Sequence, residues 1–165
     1  MTSADFDPNS PQYGYPPAGS PQWAHAQPGG LGARFFARVI DGILVNIVAF
    51  LLSMFLFDQG SWWLVTGLFS GVLMFGYFVL FEVSYGSSPG KRLLGLAVRG
   101  PGGAPKPDVR QAAIRNSFTL LAVIPYIGGL LAFIAYVVIA VTISASPTKQ
   151  GKHDELAGGT EVVKR

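Results

Sequence analysis

Residues 34–57 read RFFARVIDGILVNIVAFLLSMFLF, and this stretch decides the fold. From Val39 to Phe57 only Asp41 can carry a charge, and as an α-helix these residues rise about 28 Å, close to the thickness of a bilayer core. Arg34, Arg38 and Asp41 are spaced i, i+4, i+7, so they share one stripe of that helix. Because an ionised group inside a bilayer is costly, the stripe predicts charged partners or a polar cavity.

The composition places the chain in the membrane class. Half of its 165 residues are hydrophobic and 13% are charged, whereas a soluble domain carries about 25% charged residues. The absence of cysteine excludes disulfides, thiolate metal sites and cysteine nucleophiles. His25 and His153 are too far apart for a metal cage, and no catalytic constellation stands out, so we expect no enzyme, cofactor or metal. The net charge of +3 without a long basic run favours lipid headgroups over nucleic acid.

Two regions follow from the distribution of residue types. Residues 1–31 are rich in Pro, Gly, Gln and Tyr and are predicted to be a disordered cytoplasmic tail. The aromatic residues of this tail favour contact with a soluble partner. The alternative is that the tail is a plain solvated leader. Residues 32–163 form the predicted transmembrane domain.

The apolar blocks predict an all-α membrane protein, a small bundle of four short transmembrane helices. The helices are expected at about 34–57, 62–83, 109–124 and 130–144, with a cytoplasmic loop at 84–108 and a C-terminal tail at 145–165. Three crossings are the alternative, if residues 109–145 cross once. Four crossings place both termini and nearly all Lys and Arg residues on the cytoplasmic side, which the positive-inside rule favours. Gly67 and Gly71 predict close helix packing, either within a hairpin or between subunits.

A small cytoplasmic cap is predicted from two short apolar stretches. Leu96-Ala97-Val98 and Thr160–Val163 are expected to pair as strands, because pairing satisfies their backbone groups and holds Asp154 beneath the bundle. An irregular cap is the alternative.

Asp41 has three possible states on this reading. It is paired with Arg34 or Arg38, paired with a cation from residues 91–115, or protonated because burial raises the pKa of a carboxyl group. Glu82 is predicted at a similar depth, sharing the same cations.

Three other polar residues near the apolar blocks have simpler interpretations. Arg110 and Arg115 fit as snorkelling anchors at the inner end of a helix. Asn46, in the middle of the first helix, predicts an inter-helix hydrogen bond.

Three motifs together resemble the RDD family of bacterial membrane proteins, over residues 32–163. They are Arg34-x-x-Ala37-x-x-Ile40-Asp41, Gly90-Lys91-Arg92-Leu93-Leu94-Gly95-Leu96, and the run from His153 to Val163. The family is named for one arginine and two aspartates, which fall by position on Arg34, Asp41 and Asp154. Ser87-Ser88 replaces the Gln-Thr of many relatives, and Glu161 interrupts a usually apolar tail.

The resemblance implies a multi-pass protein of the bacterial plasma membrane that transports an unknown ligand or exchanges cations for protons. Asp41 would then titrate, with Arg34 as its counter-charge and Arg38, Glu82 and Asp154 assisting. Because four helices enclose little volume, a homo-oligomer joined through the Gly67/Gly71 face is expected to complete the pathway. The alternative is a membrane adaptor or accessory subunit that recruits a partner through the Pro-rich tail, with the charged stripe only assembling the bundle.

Overall fold

The computed structural model describes residues 27–56 and 62–165, and the side chains of residues 27–55 and 69–165. The predicted tail up to residue 26 and the predicted turn at residues 58–61 lie outside the described residues. The fold is mostly helical, with two short strands. Its elements are α1 (Leu31–Leu56), α2 (Trp62–Tyr85), α3 (Pro89–Leu93), β1 (Leu96–Arg99), α4 (Val109–Asn116), α5 (Gly128–Ala145), α6 (Lys152–Leu156) and β2 (Glu161–Lys164).

Two of the described helices are long and apolar enough to cross a membrane. They are Leu31–Phe55, with a mean hydropathy of 2.1, and Gly128–Ala145, with a mean hydropathy of 2.2. Only about a fifth of each is buried inside the protein, whereas an apolar core helix of a soluble protein is mostly buried. The described part of α2 adds a shorter apolar helix, Phe69–Tyr85. The apolar outer surfaces of α1 and α5 therefore suit lipid.

The predicted third helix, at about 109–124, changes its geometry midway. The α-helix ends at Asn116, and Ser117–Val123 continues as a 3-10 helix. Polar side chains capture backbone carbonyls at this junction: Asn116 donates to Ala112 O and Thr119 donates to Asn116 O. Such local bonds compete with a regular α-helix. The apolar character of residues 109–124 predicts a helical segment there, but it does not predict the change from α-helix to 3-10 helix.

The predicted strand pairing is confirmed. β1 and β2 run antiparallel, with Leu96 opposite Lys164 and Val98 opposite Val162. Leu96, Val98 and Val162 are buried together with Ala37 of α1, so the sheet packs beneath the bundle. The chain just before α1 joins the same sheet, since Gly29 N donates to Val162 O and Lys164 N donates to Gln27 O. We call α3, β1, α6 and β2 the cap.

Gly71 packs within the chain and does not form a face between subunits. A Cβ atom there would lie 2.7 Å from Val123 Cγ2 and 3.2 Å from Thr119 O, so only glycine lets the 3-10 segment approach α2. The expected Gly71 interface for a homo-oligomer is therefore wrong, because this surface is already covered. The surroundings of Gly67 lie outside the described residues. The hydrogen bond expected for Asn46 is confirmed, with Ser70 Oγ of α2 donating to Asn46 Oδ1 at 2.7 Å.

The buried position of β1 gives a stability prediction. Leu96 is fully buried, whereas Leu93, three residues earlier, is 73% exposed. We expect Leu96→Ala to lower the free energy of unfolding by about 2–5 kcal/mol, because it leaves a cavity between the sheet and α1. Leu93→Ala is the matched control and should change it by less than about 1 kcal/mol. Thermal unfolding in detergent measures both; equal losses would contradict the packing of the sheet against α1.

Candidate functional site

Asp41 is fully buried, and its oxygens are bound by neutral donors from two other elements. Tyr77 Oη of α2 donates to Oδ1 at 2.7 Å, Gly90 N donates to Oδ1 at 2.7 Å, and Ser88 Oγ donates to Oδ2 at 2.5 Å. Within the described residues no Lys, Arg or His lies within ion-pair distance of this carboxyl group. The expected ion pair of Asp41 with Arg34 is thus not formed, because the start of α3 supplies the donors instead.

The residues Pro89-Gly90-Lys91, at the start of α3, position these donors. Pro89 begins α3, and Ser88 caps it by accepting from Lys91 N. A Cβ atom at Gly90 would lie 2.9 Å from Asp41 Cγ and would strike Ala37 O, so the backbone of α3 reaches α1 only through a glycine. Asp41 therefore holds α3 against α1 by accepting hydrogen bonds from Gly90 N and from the loop residue Ser88.

The other loop residues of the motif have separate roles. Gly95 has a φ of +66°, which lets the chain turn from α3 into β1. Arg92 is exposed and stacks over the Tyr85 ring at 4.6 Å. Lys91 is buried and forms an ion pair with Glu82. Burial lowers the pKa of Lys91 to about 8, against the opposing effect of Glu82, so the group is still mainly charged at neutral pH.

Glu82 lies at the centre of a buried polar network. Besides Lys91, it faces Arg115 of α4, whose Nε lies 3.6 Å from Glu82 Oε2. Asn116 Nδ2 donates to the same oxygen at 2.9 Å. The prediction that Glu82 shares cations with Asp41 is not met, since Asp41 has none within reach among the described groups. The cations of Glu82 come from α3 and α4.

Asp154 is the second carboxylate of the network and lies in α6. Arg115 Nη1 lies 2.6 Å from Asp154 Oδ1, and Arg34 Nη1 lies 3.4 Å from Asp154 Oδ2. Arg34 also donates to Gly29 O and Val162 O, which ties α1 to the cap sheet. Burial alone would raise the pKa of Asp154, but Arg115 and Arg34 outweigh it and hold that pKa below its usual range.

Arg38 has no carboxylate within ion-pair distance among the described residues. Its guanidinium lies 3.8 Å from the centroid of the Phe78 ring, and Nη2 donates to Asn116 Oδ1 at 3.3 Å. The Nη1 atom is buried and has no hydrogen-bond partner within the described part of the chain. Arg38 thus keeps unused donor capacity.

We define the charged cluster as the buried and half-buried ionisable groups that meet where α1, α2, α4 and the cap converge. Its members are Arg34, Arg38, Glu82, Lys91, Arg115 and Asp154. Four cations face two carboxylates, so the formal charge of the cluster is +2. It falls to +1 if the carboxylate of Asp41 is also counted, and is still positive. Uncompensated charge away from water is costly. The charged cluster therefore favours an additional negative charge.

A cavity of about 620 Å³ runs between α1, α2, the 3-10 segment and α5, and it ends at the charged cluster. All four cations of the cluster reach its wall, and so does His153. No Asp or Glu is among the described side chains that line it. The rest of the wall is mainly apolar, apart from Asn46, Ser70 and Thr119 towards the far end. The cavity of one chain thus has the volume of a ligand site, and the expectation that a homo-oligomer completes the pathway stays a prediction.

Several residues of this site were not predicted as members of it. Arg115 was interpreted as a surface anchor but is 3% exposed, because it bridges Glu82 and Asp154. Arg110, interpreted in the same way, is exposed as expected. Arg115 and Asn116 interrupt a long apolar run. This interruption is the sequence feature that could have indicated a buried polar site. Tyr77 gave no such signal, since a tyrosine in an apolar helix fits many positions.

The sequence model of the RDD family matches residues 28–158. The chain belongs to the RDD family. Arg34, Asp41 and Asp154 all lie within the matched range of this RDD protein, and β2 lies beyond it. The RDD family is a membrane family, in keeping with the two apolar helices. No curated protein and no solved structure matches the chain.

His153 gives a pH prediction. Burial lowers the pKa of its ring from 6.5 to about 3; Asp154 opposes this shift, while Arg115, Arg38 and Lys91 add to it. As the pH drops below 6.5, the His153 ring binds a proton in the unfolded chain, while in the folded chain it stays neutral until the pH approaches 3. The free energy of unfolding should therefore fall as the pH drops below 6.5. Between pH 7 and 4.5 we expect the wild type to lose about 2 kcal/mol more than His153→Gln. Unfolding temperatures of both proteins measure this; parallel curves would contradict a neutral, buried His153.

Proposed function

We propose that this RDD protein is a membrane transport protein that holds an anionic ligand in the cavity at the charged cluster. The observation that carries the proposal is the lining of the cavity, which contains four cations and no carboxylate among the described residues. Guanidinium groups bind carboxylate and phosphate through paired hydrogen bonds. An anion beside Arg38 would offset the excess positive charge.

We further propose four membrane segments: α1, α2, residues 109–123 and α5. The 109–123 segment combines eight α-helical and seven 3-10 residues, which together rise roughly 26 Å, near the thickness of the bilayer core. The cap and both termini then lie on one side, with most of the Lys and Arg residues. By the positive-inside rule this side is the cytoplasm of a bacterial cell.

Cation/proton exchange at Asp41 has less support. Each described carboxylate near the cavity is already bound, Asp41 by three neutral donors and Glu82 and Asp154 by cations. A cation entering the cavity would also meet four like charges. Proton flux driven by Na⁺ or K⁺ in proteoliposomes, abolished by Asp41→Asn, would restore this alternative. The adaptor alternative depends on residues 1–26, which lie outside the described residues.

Anion binding is tested by thermal unfolding in neutral detergent with inorganic phosphate, against chloride at the same ionic strength. We expect phosphate to raise the unfolding temperature of the wild type by a few degrees, because it binds only the folded protein. Arg38→Gln should abolish the rise. Arg110→Gln removes the same charge from an exposed position of α4 and should keep it. No phosphate-specific rise in the wild type, or equal losses in both variants, would overturn anion binding at the charged cluster.

A further inference from the structure

We propose that the anionic ligand is a phospholipid from the leaflet on the cap side, with its phosphate at Arg38 and one acyl chain along the cavity. This inference rests on the proposed function and adds the class of ligand. It uses the shape and the walls of the cavity, which the proposal of anion binding does not need.

The cavity opens sideways between α1 and α5. Four of its lining residues are large apolar side chains on the outer surface of the bundle: Phe35, Val39, Phe133 and Val137. They are between 40% and 63% exposed. Since α1 and α5 are each only about a fifth buried and pack little against each other, the gap between them faces acyl chains. A ligand can therefore enter from the bilayer without crossing water.

The length of the cavity suits one acyl chain. Its lining on α1 extends from Leu31 to Asn46, and the part beyond Arg38 spans eight residues or about 12 Å of helix. One leaflet of the bilayer core is about 15 Å thick. The wall between the two ends is almost entirely apolar, which would bind a hydrocarbon chain well and a small hydrophilic anion poorly.

The position of the cations suits a headgroup. Arg34 and Arg38 lie in the first turns of α1, next to the cap, where the polar surface of the leaflet meets the bundle. The Arg38 guanidinium, whose buried Nη1 has no hydrogen-bond partner within the described part of the chain, lines the cavity together with Lys91 and Arg115. A lipid phosphate at this depth would neutralise charge while its chain stayed in the apolar part. The second chain of the lipid would remain in the bilayer.

Native mass spectrometry of the full chain with phosphatidylglycerol or phosphatidylcholine of identical acyl chains tests the proposal. We expect the wild type to retain phosphatidylglycerol several-fold more than phosphatidylcholine. Arg38→Gln should reduce this ratio to about one, and the exposed control Arg110→Gln should leave it unchanged.

A second pair of variants tests the chain site. Val137 lines the cavity and Val138 does not, although the two are similarly exposed, 45% and 50%. Val137→Trp should lower retention of phosphatidylglycerol several-fold by filling the chain site, and Val138→Trp should not. Val137→Trp should still be stabilised by inorganic phosphate, which shows that it is folded and that the cations are intact.

Each other outcome overturns the lipid proposal. Equal retention of the two lipids by the wild type, or equal retention by the two tryptophan variants, would exclude a lipid in the cavity. If phosphate nevertheless stabilises the wild type through Arg38, the proposed function stands with a small anion as its ligand. If neither phosphate nor phosphatidylglycerol binds at Arg38, both proposals fail.

Discussion

The bridge that Arg115 forms between Glu82 and Asp154 is the contact on which the rest of the structure depends. It joins α4 to α2 and α6, so one guanidinium holds the bundle and the cap together. Burying a guanidinium and two carboxylates is costly unless each finds its partners. Lys91, Asn116 and Arg34 supply those partners from α3, α4 and α1. The elements of the cap are therefore positioned by charge, and the sheet then covers α1 with apolar side chains.

The buried carboxylates of this site have two kinds of environment: neutral hydrogen-bond donors surround one, and cations surround the other two. Asp41 is satisfied by a phenol, a hydroxyl and a backbone amide, and it sets the distance between α1 and α3. Glu82 and Asp154 are satisfied by cations, and these cations outnumber them. The excess lies on the wall of a cavity that is otherwise mainly apolar, so the network that fixes the bundle also carries the proposed anion site. The fold and the proposed binding thus rest on one charge distribution.

Much of the fold follows from local sequence patterns. The apolar runs predict α1 and α5, the Pro/Gly turn separates residues 109–123 from α5, and the short apolar pairs predict the sheet. The partners of Asp41 could not be predicted from local sequence. A stripe of charges on one helix shows which groups lie on the same face, but not which donors from distant segments bind them. Ser88 and Gly90 reach Asp41 through the turn after α2, and Arg115 turns inward because two carboxylates from distant segments meet there. The cavity also depends on the spacing of α1 and α5, which no single segment encodes.

The excess of positive charge is the central claim, and the thermal stability of two charge-neutralising variants tests it most directly. In neutral detergent, Glu82→Gln should lower the free energy of unfolding by about 3–5 kcal/mol, since it leaves Lys91 without a carboxylate partner and Arg115 with Asp154 alone. Arg38→Gln should change it by about 1 kcal/mol or less, because the lost ring contact is offset by relief of the excess charge. A loss for Arg38→Gln as large as that for Glu82→Gln would contradict the account.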